Sequence, residues 1–239
     1  LPFLTVLITL GFSRLNNSLG TFIESIYVSI LGNNVNRFDG LLVFSTVILL
    51  SDLADYILHR FAHGVPIIWD CHEFHHSASQ MNMFNAKRIS ALDGLFFSWF
   101  TLPFTILAIL LISDYADQGN LIPFFLVALW GTLNQVSTIS GHSSFKVAYP
   151  KPLNSILMSP CCHWIHHSNR VEHYDKNFGS VFCIWDKLYG TYLDESQCDK
   201  ILCYGIDNSE YNKHHPLYSW GLLPIIKLTR RFKKFFAFS

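Results

Sequence analysis

The chain has 239 residues, of which half are hydrophobic and only 14% are charged, and its formal net charge is zero. A soluble domain usually carries about 25% charged residues, so this composition predicts that lipid replaces water over much of the surface. The zero net charge gives no basis for nucleic acid as a partner. The length suits one domain with a substantial core. The six cysteines form no Cys-x-x-Cys pair, which favours reduced thiols in or near a cytosolic compartment.

Three apolar stretches approach the roughly 20 residues that a helix needs to cross a bilayer. They cover residues 41–58, 91–113 and 121–140. Residues 1–40 contain two shorter apolar runs, which we interpret as an N-terminal membrane or interfacial segment. Buried helices of a soluble protein are the alternative reading of all these stretches.

The distribution of charge predicts which side of a membrane each segment faces. The loop between the second and third stretches carries Asp114 and Asp117 but no Lys or Arg, whereas residues 59–90 and 141–239 hold most of the basic residues. Positive residues stay on the cytoplasmic side, so both of these segments are expected there. The C-terminal part, 193–239, ends in Lys and Arg mixed with aromatic residues. It is interpreted as a basic tail that either lies on anionic lipid or is simply solvated.

The first histidine pattern follows the first apolar stretch. His59 and His63 are four residues apart, and Asp52 and Asp55 precede them. Positions four apart share one helix face, so both histidines can reach one metal ion. A carboxylate that bonds to the outer ring nitrogen of a ligating histidine fixes its orientation, and Asp52 and Asp55 are candidates for this role.

The pattern His-x-x-His-His occurs twice, at residues 72–76 and 163–167. Positions i, i+3 and i+4 share a helix face, and two adjacent histidines there can turn to different metals. The candidate ligands are His59, His63, His72, His75, His76, His163, His166 and His167, with His142 and His173 as secondary candidates. So many histidines predict two metal ions, and imidazole suits iron, zinc and copper. The pattern alone also fits a metal transporter or a zinc hydrolase.

The three motifs HRFAH, HEFHH and HWIHH resemble the histidine boxes of the fatty acid hydroxylase and sterol desaturase superfamily of membrane di-iron enzymes. The third box is followed by Asp-x-Asn-aromatic-Gly and by Trp-Asp-x-x-aromatic-Gly-Thr-Tyr, which are similar to endings in that family. The resemblance covers residues 41–192, interpreted as the catalytic domain. Many sterol-oxidising members carry Arg-x-His-Pro after the second box, and its absence here favours a hydroxylase over a sterol desaturase.

The resemblance implies an all-α integral membrane protein with about four transmembrane helices and a cytosolic helical cap that carries a histidine-ligated di-metal site. It makes the eight box histidines ligands of two non-haem iron ions, with zinc possible in purified protein. It gives Asp175, Asn177 and Asp186 supporting or structural roles. The implied activity is hydroxylation of an unactivated C–H bond of a lipid with O2 and two electrons. A desaturase with the same site is the alternative, and a metal transporter or inactive scaffold is the rival from another class.

The partners and location follow from the same resemblance. The sequence has no flavin, haem or iron–sulfur motif, so a separate cytochrome, ferredoxin or reductase is expected to supply electrons. The expected location is the endoplasmic reticulum or a bacterial inner membrane, with the active site on the cytoplasmic face. Glu73 and Glu172 are interpreted as exposed charges, with proton relay as the alternative.

Overall fold

The computed structural model describes residues 37–117, 122–201 and 203–237, and in these ranges the chain is mostly helical. Helices α1 to α8 cover Arg37–Gly64, Pro66–His76, Ala91–Asp117, Ile122–Gly141, Lys151–Asn154, Pro160–His166, Ile184–Tyr189 and Pro216–Ala237. Short 3-10 helices cover Met83–Lys87, Val171–His173, Glu195–Lys200 and Glu210–Asn212. Isolated bridges join Leu157 to Phe182 and Ser168 to Tyr204, and these described ranges contain no sheet, as predicted. Nearly all of the predicted N-terminal segment, 1–40, lies outside the described residues.

Helices α1, α3 and α4 contain the three apolar stretches that were predicted to cross a membrane. Over the residues that the structure describes, none of the helices is both long enough and apolar enough for such a crossing. The helical part of the prediction therefore holds, and the crossings themselves are not shown.

Local sequence signals position the helices that carry the second and third histidine boxes. Helix α2 begins with Pro66 after extended Val65, and α6 begins with Pro160 after Ser159, whose side chain accepts a hydrogen bond from the Cys162 amide. Proline suits the first helical position because its fixed φ is helical and the missing N–H has no partner there. Both helices are short and carry box histidines in the last turn, His75 and His76 in α2 and His163 and His166 in α6. The boxes are thus presented at helix ends.

The helices that carry histidines pack around a polar interior. Helix α1 packs against α2 and α3, α4 packs against α6, and α8 covers α2 and α3. The buried polar side chains include Asp52, His72, His76, His142 and His166. Three small apolar clusters of buried side chains lie elsewhere, for example Phe74 with Tyr211 and Leu223. Buried polar groups are costly unless they are bonded, so this interior needs partners for its ring nitrogens.

The C-terminal region folds onto the second histidine box instead of forming a loose basic strip. Lys227 of α8 pairs with Glu73, and the Arg231 guanidinium binds both carboxylate oxygens of Asp70, at 2.8 Å for the Nη2 contact. Arg230 pairs with Glu210 at 2.9 Å. The prediction of an exposed Glu73 is therefore wrong, because this carboxylate is buried in an ion pair. Glu172 is exposed as predicted and pairs with Arg170.

Candidate metal centre

Four histidines from three helices form what we call the first cluster. Helix α1 contributes His59 and His63, α2 contributes His76, and α6 contributes His166. Each offers a ring nitrogen, and these atoms all lie within 4.8 Å of one another. The Nε2 atoms of His63 and His76 are 3.1 Å apart.

The second cluster lies beside the first and contains His75, His142, His163 and His167. Their Nε2 atoms form a tight chain: His75 to His142 at 3.1 Å, His142 to His163 at 3.2 Å, and His163 to His167 at 3.1 Å. Helix α2 supplies the first of these residues, the end of α4 is followed by the second, and α6 and its cap supply the others. His142, a secondary candidate in the sequence, is therefore a full member of this cluster.

The adjacent histidines of each His-x-x-His-His box belong to different clusters. His75 belongs to the second cluster and His76 to the first, while His166 belongs to the first and His167 to the second. The rings of His76 and His167 stack with their centroids 4.4 Å apart, where the two clusters meet. One helix end thus serves both clusters, because neighbouring side chains on a helix point about 100° apart.

One loop, residues 175–178, contacts the outer ring nitrogens, Nδ1, of three histidines of the first cluster. The Nδ1 atoms of His59 and His166 lie 2.8 Å from the carbonyl oxygens of Phe178 and Lys176. The Nδ1 atom of His63 is 3.6 Å from an Asp175 carboxylate oxygen. A carbonyl oxygen has no proton to give, so the rings of His59 and His166 carry their proton on Nδ1. Their Nε2 lone pairs then point into the cluster.

Asn177 and Asp186 determine the shape of this loop. The Asn177 amide donates to the carbonyls of Cys162 and Leu193, both at 2.9 Å, and its oxygen accepts from the Leu193 amide. The Asp186 carboxylate accepts from the Phe178 and Gly179 amides, both at 2.8 Å, and from the Thr191 hydroxyl. Asp175 and Asn177 adopt positive φ, of 56° and 57°, which these residue types tolerate better than most. Asn177 and Asp186 therefore act on the loop and touch no cluster nitrogen, which is the structural role that the sequence left open.

The outer ring nitrogens of the second cluster make fewer hydrogen bonds than those of the first cluster. The Nδ1 atom of His142 donates to the Thr138 carbonyl at 2.7 Å, whereas the buried Nδ1 of His75 has no hydrogen-bond partner among the described residues. Close packing positions His163, because a Cβ added at Gly141 would lie only 3.0 Å from its ring. Glycine at 141 is thus needed for the close approach of α4 to α6.

His72 lies between the clusters and belongs to neither set of four. Its ring centroid is 5.0 Å from that of His76 and 5.3 Å from that of His75. Its Nδ1 is 3.0 Å from the buried carboxylate of Asp93, and its Nε2 has no partner in the described chain. The sequence analysis missed Asp93. The sequence signal for it was a carboxylate in the first turn of α3, three residues after Ser90. The Ser90 hydroxyl accepts a hydrogen bond from the Asp93 amide.

Three other candidates do not contact either cluster. Asp52 was expected behind a ligating histidine, but its carboxylate accepts from the Val181 and Phe182 amides and from the Trp185 indole at 2.8 Å. It thus ties α1 to the segment after the third box. Asp55 makes no hydrogen bond to a cluster nitrogen within the described residues, and buried His173 lies outside both clusters.

Arg88 is a further residue whose role the sequence did not indicate. Its guanidinium donates to the Phe74 carbonyl at 2.9 Å and to the Ser77 hydroxyl at 2.8 Å, and it stacks over the Phe74 ring. The first contact satisfies the Phe74 carbonyl at the C-terminus of α2, which has no following turn to do so. The end of the helix that carries His75 and His76 is therefore held in place.

Burial keeps the cluster histidines neutral. Desolvation first, and the neighbouring imidazoles second, hold the pKa values of six members well below the ordinary range: His59, His75, His76, His163, His166 and His167. Desolvation lowers the pKa of His63 to about 4 and also lowers that of His142. The hydrogen bond from His63 lowers the pKa of Asp175. Neutral imidazole is the form that binds metal.

The residues present fit a metal ion in each cluster. Metal–nitrogen bonds of about 2.0 Å in a tetrahedral site put ligand atoms about 3.3 Å apart, close to the observed Nε2 separations. The buried Nε2 atoms of His59 and His166 lack any other described partner. In the second cluster, neighbouring Nε2 atoms face each other, and in each such pair at most one nitrogen can donate a hydrogen bond. An all-imidazole set suits iron, zinc or copper and does not suit magnesium or calcium.

Comparison with known proteins agrees with this arrangement. The model of the fatty acid hydroxylase family matches residues 44–191, which hold all the histidines of both clusters. The chain belongs to the fatty acid hydroxylase family. No solved structure matches it.

Several proteins of known activity are similar to this family member. Alkylglycerol monooxygenase of Danio rerio is 33% identical over 155 residues, and that of Homo sapiens is 31% identical over the same length; each alignment covers 65% of this chain and 31% of the relative. Ornithine lipid hydroxylase OlsE of Rhizobium tropici is 27% identical over 61% of this chain and 40% of its own. The chain therefore spans about a third of the length of these two alkylglycerol monooxygenases. These relatives are lipid hydroxylases or monooxygenases, so the family assignment supports an oxidoreductase.

Proposed function

We propose that this chain is the catalytic region of an iron-dependent membrane hydroxylase that inserts one oxygen atom into an unactivated C–H bond of a lipid. The balanced reaction consumes the lipid, O2, two electrons and two protons, and it yields the alcohol and water. The observation that carries the proposal is the pair of adjacent four-histidine clusters with inward-facing Nε2 atoms.

The choice of iron follows from the chemistry of the bond to be broken. A bound pair of iron ions would supply the redox chemistry that activates O2, which zinc lacks because it has no accessible second oxidation state. His59, His63, His76 and His166 would hold one ion and His75, His142, His163 and His167 the other. His72 lies beside both, with a free Nε2 that Asp93 orients.

The protein's own side chains keep water from the clusters. The Phe178 ring lies against His59, His63 and His166, with centroids 5.1 to 5.7 Å apart. Trp69 covers His63 and His76 from the other side. Excluding water protects reactive intermediates from side reactions, so these two aromatic residues have a protective role beside their packing role.

An aromatic strip on α3 gives the lipid chain a route to the clusters. Phe97 lies 5.8 Å from the His72 ring, and Phe96 contacts both Phe97 and Phe100. Apolar rings that end at a metal-binding histidine suit an acyl or alkyl chain whose carbon is to be oxidised. The names of the relatives make an alkylglycerol the first substrate to test and an ornithine lipid the second.

The remaining parts of the proposal concern the electron supply and the location. A separate cytochrome, ferredoxin or reductase delivers the electrons. The enzyme sits in the endoplasmic reticulum or a bacterial inner membrane, with the clusters on the cytoplasmic side. Large apolar side chains exposed along α4, such as Leu129, Leu133 and Val136, support a lipid surrounding.

The test combines elemental analysis with lipid mass spectrometry. Protein purified in mild detergent is loaded with iron, reduced, exposed to air and given an alkylglycerol or an ornithine lipid. We expect bound iron and a product that gains one oxygen. The variant His163→Ala, which damages the second cluster only, should lose about half of the iron and all of the product. The control His215→Ala removes an exposed histidine of the C-terminal region and should lose neither. A product that loses two hydrogens instead would identify a desaturase. Iron-loaded protein that oxidises neither lipid would favour a transporter or scaffold.

A further inference from the structure

Helix α8 is amphipathic, and its charged side faces the protein. Lys227, Arg230 and Arg231 pair with Glu73, Glu210 and Asp70. With about 100° per residue, these three side chains occupy one side of the helix together with buried Ser219 and Leu223. The usual pattern for a surface helix, with apolar residues inward and charges outward, is reversed.

The opposite side of α8 is a continuous apolar surface. Its exposed large side chains are Leu217, Leu222, Ile225, Phe232 and Phe235, of which Leu217 and Phe235 are 72% and 70% exposed. The helix has 22 residues and is therefore about 33 Å long. Scattered apolar residues on a surface are ordinary, but a stripe of this length marks an interaction surface.

The chemistry of this stripe points to lipid. Helix α8 contains no acidic residue, and the two basic residues without a described ion pair, Lys233 and Lys234, are close to the exposed aromatic residues Phe232 and Phe235. A positive margin beside an apolar face complements phosphate headgroups above acyl chains. Helix α3, which packs against α8, also exposes large apolar side chains, Leu95 and Trp99.

We propose that α8 lies in the interface of a lipid bilayer with its apolar stripe in the acyl region. Most of its basic residues are bound to acidic residues of the protein, so burial of apolar area drives the contact and anionic lipid adds little. The proposal differs from the sequence-based expectation, in which the basic tail lies on anionic lipid, in assigning the contact to apolar burial. The proposal concerns a surface and does not depend on the oxidation chemistry.

The test places a fluorescent label at single positions of α8 in the full chain. Cys203, the exposed cysteine, is first changed to Ser, and the other five cysteines are buried. An environment-sensitive probe is then attached to Ile225→Cys or Phe232→Cys, and Lys234→Cys is the matched control. Each protein is reconstituted into phosphatidylcholine vesicles whose acyl chains carry bromine, with and without added phosphatidylglycerol.

We expect blue-shifted emission and quenching by the brominated chains at positions 225 and 232, and little of either at 234. The pattern should be the same with and without phosphatidylglycerol. Quenching of all three labels by aqueous iodide would overturn the proposal, because the stripe would then face water. Protection of the labels from iodide without quenching by bromine would also overturn the proposal, because another part of the chain or a second copy would then cover the stripe. Dependence of that protection on protein concentration distinguishes the second copy.

Discussion

The two clusters use the same ligand type but are held in different ways. In the first, three of the four outer nitrogens face one loop, 175–178. In the second, His142 bonds to a carbonyl of its own helix, and the Nδ1 of His75 has no described partner. The first cluster is therefore oriented by hydrogen bonds from outside, and the second mainly by helix packing. Substitutions far from the histidines should then affect the two clusters unequally.

Removing ligands in pairs is the strongest way to break this comparison. The double variant His76→Ala/His166→Ala takes two ligands from the first cluster but one from each His-x-x-His-His box. It should keep about half of the bound metal, because the removed side chains are ligands of the first cluster only and the second cluster keeps its ligands. The double variant His75→Ala/His76→Ala should lose nearly all of it, since it damages both clusters. Elemental analysis of the purified variants measures the difference. Equal metal loss in the two proteins would contradict the assignment of the clusters.

Acidification should act on both clusters despite their different supports. The folded-state pKa values of the cluster histidines lie below the ordinary 6.5, so the unfolded chain binds more protons. Stability of the metal-free protein is fully present above about pH 6.5 and is lost as the pH falls towards the folded values. With a folded pKa of about 4, His63 alone costs about 3 kcal/mol at pH 4. Chemical denaturation of metal-free protein between pH 7.5 and pH 4 measures this, and a flat profile would refute it.

The Asp186→Asn variant sharpens the comparison through the loop. The Asn NH2 group would face either the Phe178 or the Gly179 amide, which donate to different Asp186 oxygens, so at least one charge-assisted hydrogen bond is lost, at about 1.5–3 kcal/mol. The loop carbonyls that orient His59 and His166 then shift, and the first cluster should lose metal before the second. A fall in melting temperature with loss of about half of the metal is expected. Asp207→Asn, at an exposed carboxylate, is the control. Equal weakening of both clusters would argue against the loop as a specific support.

The smallest effect is expected for Asp175→Asn. Asparagine tolerates the positive φ at this position, so the backbone need not change. The loss of the charge near the outer nitrogen of His63 should weaken metal binding in the first cluster about tenfold, because the 3.6 Å contact is long and the carboxylate is 74% exposed. Competition with a chelator measures the affinity, and Glu172→Gln is the neighbouring control. An unchanged affinity would show that the two loop carbonyls suffice.

The sequence predicted the parts of this site that depend on local geometry. Spacings of three and four residues place His72, His75 and His76 on one helix end, and the same rule applies to the third box. The all-helical class followed from the family resemblance, together with the length of the apolar stretches and their low charge. The metal itself and its number stay predictions.

The missed features depend on contacts between distant parts of the chain. No spacing rule connects Asp52 to Trp185, which is 133 residues away, or Glu73 to Lys227, which is 154 residues away. The assignment of His76 to His166 and of His75 to His142 depends on how α2, α4 and α6 pack. Asp93 could be suspected only once α3 was known to begin beside His72.

These long separations bear on when the protein can acquire metal during its synthesis. His59 and His63 leave the ribosome long before the loop that orients them, since the contact between His59 and Phe178 spans 119 residues. The ion pair between Asp70 and Arg231 spans 161 residues and forms only after residue 231 has been synthesised. Contacts between distant segments form late because loop closure costs entropy. A nascent chain that ends before residue 163 completes neither cluster, so metal loading of both clusters follows the synthesis of the third histidine box.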